Sequence, residues 1–451
     1  MNKVELLSKE IIKPSSPTPQ HLKTYNLSLL DQLTPPVYVQ GIVFYPSGSI
    51  EKINGGETEI FKLLKKSLSE TLTLYYPFAG RIKDNIIVDC NDEGIEYYEA
   101  KVNGEISEYM SSDVLYQLFP SDIVTDNIVQ DTPLVVQVNM FDCGGIAITG
   151  CVSHKLADGL SVAALVNAWA ASALGGGGGG GVVESLHPTF ESASHFPPQQ
   201  NIPNSIIPAD LLQSIGQGSK IVSKRFVIDG SKLSTLRSTI MDMSSDTTNS
   251  DHHLTAVEAV TALLWKSVME VSKSRSATLE KPTPISVVNL GVNLRKRMEP
   301  PLPSASFGNI VTVATATSMN NSENELDGLV GQVRESISKI NNEYIQYMGS
   351  GGFLKSILAF ANFNENGNPM DQNVEVYWIS SICKVPLYEI DFGWGKPELV
   401  SSGASQPYQN VFLLMDTKCG NGVEVQVNMT EEDMALFETN QGLLEFATVT
   451  N

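Results

Sequence analysis

Residues 134–174 read LVVQVNMFDCGGIAITGCVSHKLADGLSVAALVNAWAASAL. Val and Ile recur up to Val152 with a Cys-Gly-Gly break in the middle, which predicts two strands joined by a tight turn. After Gly159 the residues are apolar all round and rich in Ala and Leu, which predicts a buried helix. His154 then stands at the C-terminal end of a strand, and Asp158 is placed to cap the helix by accepting from its first free backbone amides. Only six histidines occur in the chain. The surroundings of this one suit either a hydrogen-bonded structural residue or a base.

On the N-terminal side, IFKLLKKSLSETLTL (60–74) places apolar side chains at 60, 63, 64, 68 and 72, the spacing of a helix that ends before Tyr75-Tyr76-Pro77. On the C-terminal side, seven glycines run from Gly175 to Gly181. They match a phosphate-binding GxGxxG trivially, but they follow a helix and precede none, so a surface loop is expected. Residues 182–219 are rich in Pro, Ser, His and Gln, a linker composition and the best boundary in the chain. Beyond it, SKRFVID, ISVVNLGVNL and FGNIVTVATAT read as strands, and LTAVEAVTALLWKSVMEV (254–271) as a second long buried helix. Strands and helices alternate on both sides of the linker, which predicts two lobes of α/β type.

With 30 basic against 50 acidic side chains, the 451-residue chain carries a formal charge of -20. Nucleic acid and anionic membrane surfaces are thereby excluded as main partners. The apolar fraction of 42% is that of a globular enzyme. The N-terminal residues show no leader-like apolar run, so a cytoplasmic protein is expected. Five cysteines, Cys90, Cys143, Cys151, Cys383 and Cys419, are scattered with no CxxC spacing, which signals neither a disulfide framework nor a zinc ribbon.

HExxH, GxSxG and a genuine Walker A motif are absent. His154 and Asp158 would share a helix face only if they were helical. The break in pattern puts them on a loop with no third ligand nearby, so no metal is expected.

HxxxD at 154–158, followed by Gly159, together with DFGWG at 391–395, resembles the two hallmark motifs of the BAHD family of plant acyl-CoA-dependent acyltransferases. The likeness extends to KPSSPTP (13–19), LSLLDQL (27–33), YYPFAGRI (75–82), VDCNDEG (88–94), VNLRKRMEPPLP (292–303), FGN (307–309) and LLMDTKCGNGVEV (413–425), all in family order. It covers nearly the whole chain, and its details are similar to the alkaloid acetyltransferase branch.

The resemblance implies two similar-sized α/β lobes of chloramphenicol-acetyltransferase-like type, joined by a long crossover loop around a central solvent channel. The lobes would be 1–181 and 220–451, with 182–219 as the crossover. Acyl-CoA would enter one face and a small-molecule alcohol the other, meeting at His154 in a monomeric enzyme. It implies transfer of a small acyl group, acetyl above all, to an alkaloid-like acceptor; a sucrose-ester acceptor and a catalytically silent ligand-binding relative are the alternatives. A thioester is already an activated donor, so one positioned general base suffices without a covalent intermediate.

The family pattern further implies that Asp158 turns away and pairs with Arg295, whereas direct contact would make it a catalytic partner of His154. Asp391, Gly393 and Trp394 fit a tight turn with two aromatics, acting on CoA indirectly if at all. Alignment puts Ser380 where a hydroxyl donor to the oxyanion often sits, and an ordinary strand hydroxyl is the other reading. Phosphates of CoA need local positive charge, and Lys220, Lys224 and Arg225 (in KIVSKR) and RKR at 295–297 supply it.

Overall fold

The protein is described by a computed structural model over residues 4–110, 112–120, 132–175, 186–200, 202, 220–243, 253–318, 325–350, 374–403 and 408–450. Its described strands, in chain order, are β1 (Val4–Ile12), β2 (Thr24–Asn26), β3 (Tyr38–Tyr45), β4 (Arg81–Lys83), β5 (Ile87–Asp89), β6 (Ile95–Val102), β7 (Leu134–Phe141), β8 (Ile146–Ser153), β9 (Ile221–Ile228), β10 (Ile285–Asn293), β11 (Val311–Ser318), β12 (Val374–Ser381), β13 (Leu399–Ser402), β14 (Val411–Asp416), β15 (Val423–Thr430) and β16 (Thr448–Thr450). They form a six-stranded sheet in the order β1-β6-β7-β8-β3-β13, a seven-stranded sheet in the order β11-β10-β12-β14-β15-β9-β16, and a small sheet β2-β5-β4.

The hairpin expected at 134–152 is β7 and β8, paired antiparallel from Leu134↔Val152 to Met140↔Ile146. Its turn closes through Gly144, whose φ of 75° lies in the left-handed region that favours glycine. Every residue of β7 is buried, as expected for a central strand covered on both faces. On one face lie the helices Gly56–Leu74 and Gly159–Ala173, which meet Val136, Val138, Ile148 and Val152 in one apolar cluster. On the other, Ile106, Tyr109, Leu118 and Phe119 close over Val135, Phe141, Ala147 and Cys151.

The second sheet wraps the helix Ala256–Thr278, begun by a capping box between Thr255 and Glu258 and ending seven residues beyond the apolar pattern. Trp265 is fully buried on it and donates from Nε1 to Ser286 Oγ at 2.9 Å, fastening the helix to β10. β15 alternates: Val423, Val425, Val427 and Met429 enter this core. Glu424, Gln426 and Asn428, also buried, take the opposite parity and point to the other face.

Two features tie the halves of the chain together. β13 comes from beyond residue 398 yet pairs antiparallel with β3 in the first sheet. Gln426 Oε1 on β15 then accepts from Ser402 Oγ at 2.6 Å. The second feature is the stretch read from composition as linker. Residues 182–185 and 203–219 lie outside the described residues, as does Gly176–Gly181, but residues 186–200 are docked and not loose. Phe196 is buried in the core of the second sheet. Phe190 packs on Tyr25, Tyr76 and Phe307 with ring centroids 5.0–5.7 Å apart.

Phe307 also meets Phe78 edge-on at 5.3 Å and is followed by Gly308-Asn309, so this aromatic cluster fixes where residues 308–310 run. Phe307→Ala is expected to lower stability by about 3–5 kcal/mol through the cavity it leaves, read as a shift in the urea unfolding midpoint.

Candidate active site

His154 opens the turn between β8 and the helix Gly159–Ala173. Its backbone N–H donates to Val37 O at 2.8 Å, extending the β3–β8 pairing, and its carbonyl accepts from Asn309 Nδ2 at 2.7 Å. Both sides of the residue are therefore held by parts of the chain remote in sequence. The imidazole Nδ1 is buried with no hydrogen-bond partner. Burial holds the imidazole below its ordinary pKa, and the nearby Asp158 carboxylate offsets part of that shift. The ring is thus neutral at pH 7, the form in which it can accept a proton.

Asp158 is the expected N-cap: Oδ1 accepts from Ser161 N at 2.9 Å. The carboxylate also takes both terminal nitrogens of Arg295, at 2.7 Å on Oδ2 and 3.0 Å on Oδ1, and Ile310 N at 3.1 Å. Both side chains of this pair are more than nine-tenths buried. Arg295 spends its remaining donors on Ser306 O, from Nε at 3.0 Å and Nη2 at 2.7 Å, and on Gly308 O and Ser161 Oγ. Asp158 is thereby directed at the 306–310 segment through Arg295.

A second buried polar group has no counterpart in the sequence reading. Asp31, in the short helix Leu29–Leu33, is fully buried and accepts four hydrogen bonds. Ser28 N and Oγ donate to Oδ2 at 2.8 and 2.7 Å, and Asn309 N and Nδ2 donate to Oδ1 at 2.7 and 2.9 Å. Burial raises the Asp31 pKa, and these donors offset only part of the rise. One residue past His154, the buried Lys155 donates from Nζ to Gln32 O at 2.7 Å, at the C-terminal end of the same helix. Burial pushes its pKa down to about 8, with Asp31 pulling the other way. The segments LSLLDQL and FGN quoted above contain Asp31 and Asn309, but 278 residues separate the two, and no local pattern pairs them.

The other nominated residues fall in different places. Ser380 is exposed near the end of β12, beside Gly291, and a Cβ added to Gly159 would lie 3.0 Å from Ile382. Its strand therefore ends at the start of the helix capped by Asp158. The DFGWG turn is elsewhere: Asp391 Oδ1 accepts from Gly393 N at 2.8 Å and Gly395 N at 2.9 Å, both glycines at φ near 115°. Trp394 stacks on Phe392 and meets Tyr45 edge-on. Tyr45 ends β3, whereas His154 bonds to Val37 just before its start, so the two are at opposite ends of a strand that spans about 26 Å at 3.3 Å per residue.

The basic residues of β9 and Lys220, which immediately precedes it, divide by parity. Lys220 and Lys224 share one parity and pair with Glu431 and Glu438, at the start and C-cap of the helix Glu431–Phe437. Arg225, of opposite parity, lies 3.6 Å from Glu424 on the face that β15 turns toward β13. Cys151 is completely buried, which raises its thiol pKa far above the usual range, and Cys143 sits at the hairpin turn, where its sulfur accepts from Ile106 N.

Two outcomes follow from the buried ionic groups. Asp158→Asn leaves Arg295 without its counter-charge and should cost about 3–5 kcal/mol in unfolding free energy, with lower soluble yield as well as lower activity. Lys155 has a folded-state pKa of about 8 against about 10.4 when unfolded, so the unfolded chain binds more protons in between. Relative to Lys155→Met, the wild type should therefore gain up to about 3 kcal/mol of stability as pH rises from about 8 to about 10, measured by urea melts across that range.

Comparison with known proteins gives the family. A family model described as the Transferase family matches residues 2–444. Salutaridinol 7-O-acetyltransferase of Papaver somniferum is 41% identical, over 96% of both chains, and limonoid 1-O-acetyltransferase of Citrus sinensis is 36% identical over 98% of both. The crystal structure of vinorine synthase superposes with a TM-score of 0.78 at 34% identity, covering 96% of each chain. The chain belongs to the Transferase family, the BAHD acyltransferases, and is an enzyme of that class.

Proposed function

We propose that the protein transfers an acetyl group from acetyl-CoA to a hydroxyl of an alkaloid-like polycyclic alcohol, with His154 as general base. The observation that carries this reading is a buried imidazole on a residue whose backbone is held on both sides, where the end of β8 meets the 306–310 segment, with burial lowering its pKa. In the proposed step His154 takes the acceptor's hydroxyl proton as the oxygen attacks the thioester carbonyl. The tetrahedral intermediate collapses, the C–S bond breaks, and the departing thiolate of CoA receives that proton. Holding both substrates at once supplies much of the remaining acceleration.

Ser380, exposed beside Gly291 with its strand ending at the capped helix, is proposed to steady the oxyanion. Asp158 and Asp391 serve as architecture in this reading, through Arg295 and through the glycine amides. Of the β9 basic residues, Arg225 is the candidate for the phosphates of CoA, because Lys220 and Lys224 point to the helix side. The division into lobes 1–181 and 220–451 around a channel, with 182–219 as crossover, is proposed on the two large sheets, with β13 of the second lobe crossing over to complete the first sheet. Alkaloid acceptors are favoured over sugar esters by the salutaridinol acetyltransferase and vinorine synthase matches.

His154→Ala should fold and bind acetyl-CoA while kcat falls by roughly two to four orders of magnitude. The wild-type kcat/KM should rise with pH along a limb centred below about 6.5, because burial lowers the pKa of the base. Near-normal turnover in His154→Ala removes the proposal. Direct transfer further requires intersecting initial-rate plots, no acylated protein when acetyl-CoA is mixed without acceptor, and full activity in Cys151→Ala. Parallel plots with a trapped acyl-cysteine would show a covalent route instead.

A further inference from the structure

We propose that the row Asn289–Trp378–Val411–Asn428 on the outer face of the second sheet is a subsite for a protonated amine of the acceptor, the Trp378 indole receiving the cation on its face and Asn428 Oδ1 accepting its N–H. This inference rests on the reading of the acceptor as an alkaloid-like alcohol that meets His154.

The four residues are neighbours by register: Asn289 pairs with Trp378, Trp378 with Val411, and Val411 with Asn428. Strand alternation sets them apart from Tyr377, Ile379, Phe412 and Leu414, which are buried in the core beneath the sheet. Asn289, Trp378 and Val411 are only half-buried. The row also leads to the proposed chemistry. Ser380 comes next on the same face, and Ile382 beyond it lies where a Cβ added to Gly159 would meet it at 3.0 Å, at the start of the helix capped by Asp158. Trp378 is about 13 Å back from Ile382 at 3.3 Å per residue. An acceptor whose hydroxyl reaches the His154 turn therefore lays its skeleton along this face.

This face is uncharged. Residues of the outward parity on β10, β11, β12 and β14 include no Asp, Glu, Lys, Arg or His, in a chain of net charge -20. A half-exposed, neutral sheet face of this kind marks a surface that holds a ligand, and its valines and Leu413 suit a fused carbon skeleton. On β15 the same parity carries Glu424, but that carboxylate stands two positions beyond Gln426 from Asn428 and faces Arg225 at 3.6 Å. The long-range field of the net charge draws a cation toward the protein, and the neutral row receives it without an ion pair to break on release.

Two groups in the row hold a cation without a counter-charge. The face of an indole attracts a cation more strongly than any other side-chain ring. Asn428 is 4% exposed, yet its Oδ1 has no donor, a rare state for a buried acceptor. Trp378 and Asn428 stand two strands apart, with Cα atoms about 10 Å from each other and Val411 between them. An ammonium seated over Val411 reaches both. A tertiary ammonium has a single N–H for the single orphan oxygen, and its carbon substituents then face the ring.

The test is binding, read apart from turnover: titration calorimetry of the full chain at neutral pH with tropine, a bridged secondary alcohol that carries a protonated tertiary amine, and with its carbocyclic analogue, in which a methylene replaces the nitrogen bridge. The wild type should bind tropine about tenfold more tightly than the analogue. Trp378→Leu should weaken tropine about tenfold and leave the analogue within about twofold, whereas Trp378→Phe, which keeps an aromatic face, should retain most of the preference. Asn428→Leu should weaken tropine about tenfold as well. Affinity for acetyl-CoA should stay within about twofold in all three variants. Equal binding of the two alcohols to the wild type overturns the proposal, and that comparison needs no variant that might misfold. Loss of acetyl-CoA affinity in Trp378→Leu overturns it too, since the row would then hold the pantetheine arm of CoA. A Trp378-dependent preference for tropine in a protein that acetylates no amino alcohol supports the subsite and overturns only the reading of the protein as an alkaloid acetyltransferase.

Discussion

A carboxylate and a guanidinium taken out of water together are stable only as a pair with their remaining hydrogen bonds met, and Asp158 and Arg295 satisfy that condition completely. Asp158 starts the helix behind β8, and Arg295 follows β10, so the pair crosses from one large sheet to the other. Neither residue can be buried until both sheets are in place. The pair also fixes the segment from Ser306 to Ile310 by three backbone atoms, Ser306 O, Gly308 O and Ile310 N, and on that segment rides Asn309. The placement of His154 is therefore a by-product of satisfying one ion pair.

What the chain reveals by itself is what its neighbours in sequence decide. The β7–β8 hairpin, the helix after it and the Asp158 cap are local patterns, and the structure has all three where the residues place them. Arg295 as the partner of Asp158 came from family likeness, since 137 residues lie between them. Asp31 and Lys155 gave no signal because each looks ordinary in its own segment: an acidic residue in a helix's first turn, and a lysine in a polar turn. Only the fold, which brings 28–37, 154–158 and 306–310 together, shows that they are buried. The KIVSKR stretch fails for the opposite reason. As a charge run it reads as one patch, but consecutive residues of a strand face opposite ways, and Lys224 and Arg225 end up on different faces of the sheet.

The balance of charge around the imidazole explains how so acidic a protein keeps a neutral base. Burial disfavours the imidazolium, while Asp158, the nearest carboxylate, would favour it. Asp158 is largely neutralised by Arg295, and Asp31 is offset by its four donors with Lys155 nearby. Asp158 and Asp31 are thus committed to Arg295 or to amide and hydroxyl donors, so neither stands as a free anion beside the ring of a chain whose net charge is -20.

The position of β13 has a consequence for how the chain is made. Until residue 402 has left the ribosome, β3 is the edge of its sheet, with the backbone groups of Gly41 to Phe44 unpaired. The N-terminal half is synthesised long before its last strand arrives, so it must wait with an open edge flanked by Ile42 and Phe44. Fragments ending near the compositional boundary at 182–219 would inherit that open edge permanently and pair with one another through it. Although the two sheets look separable on paper, the chain becomes safe from self-association only when nearly all of it has been translated.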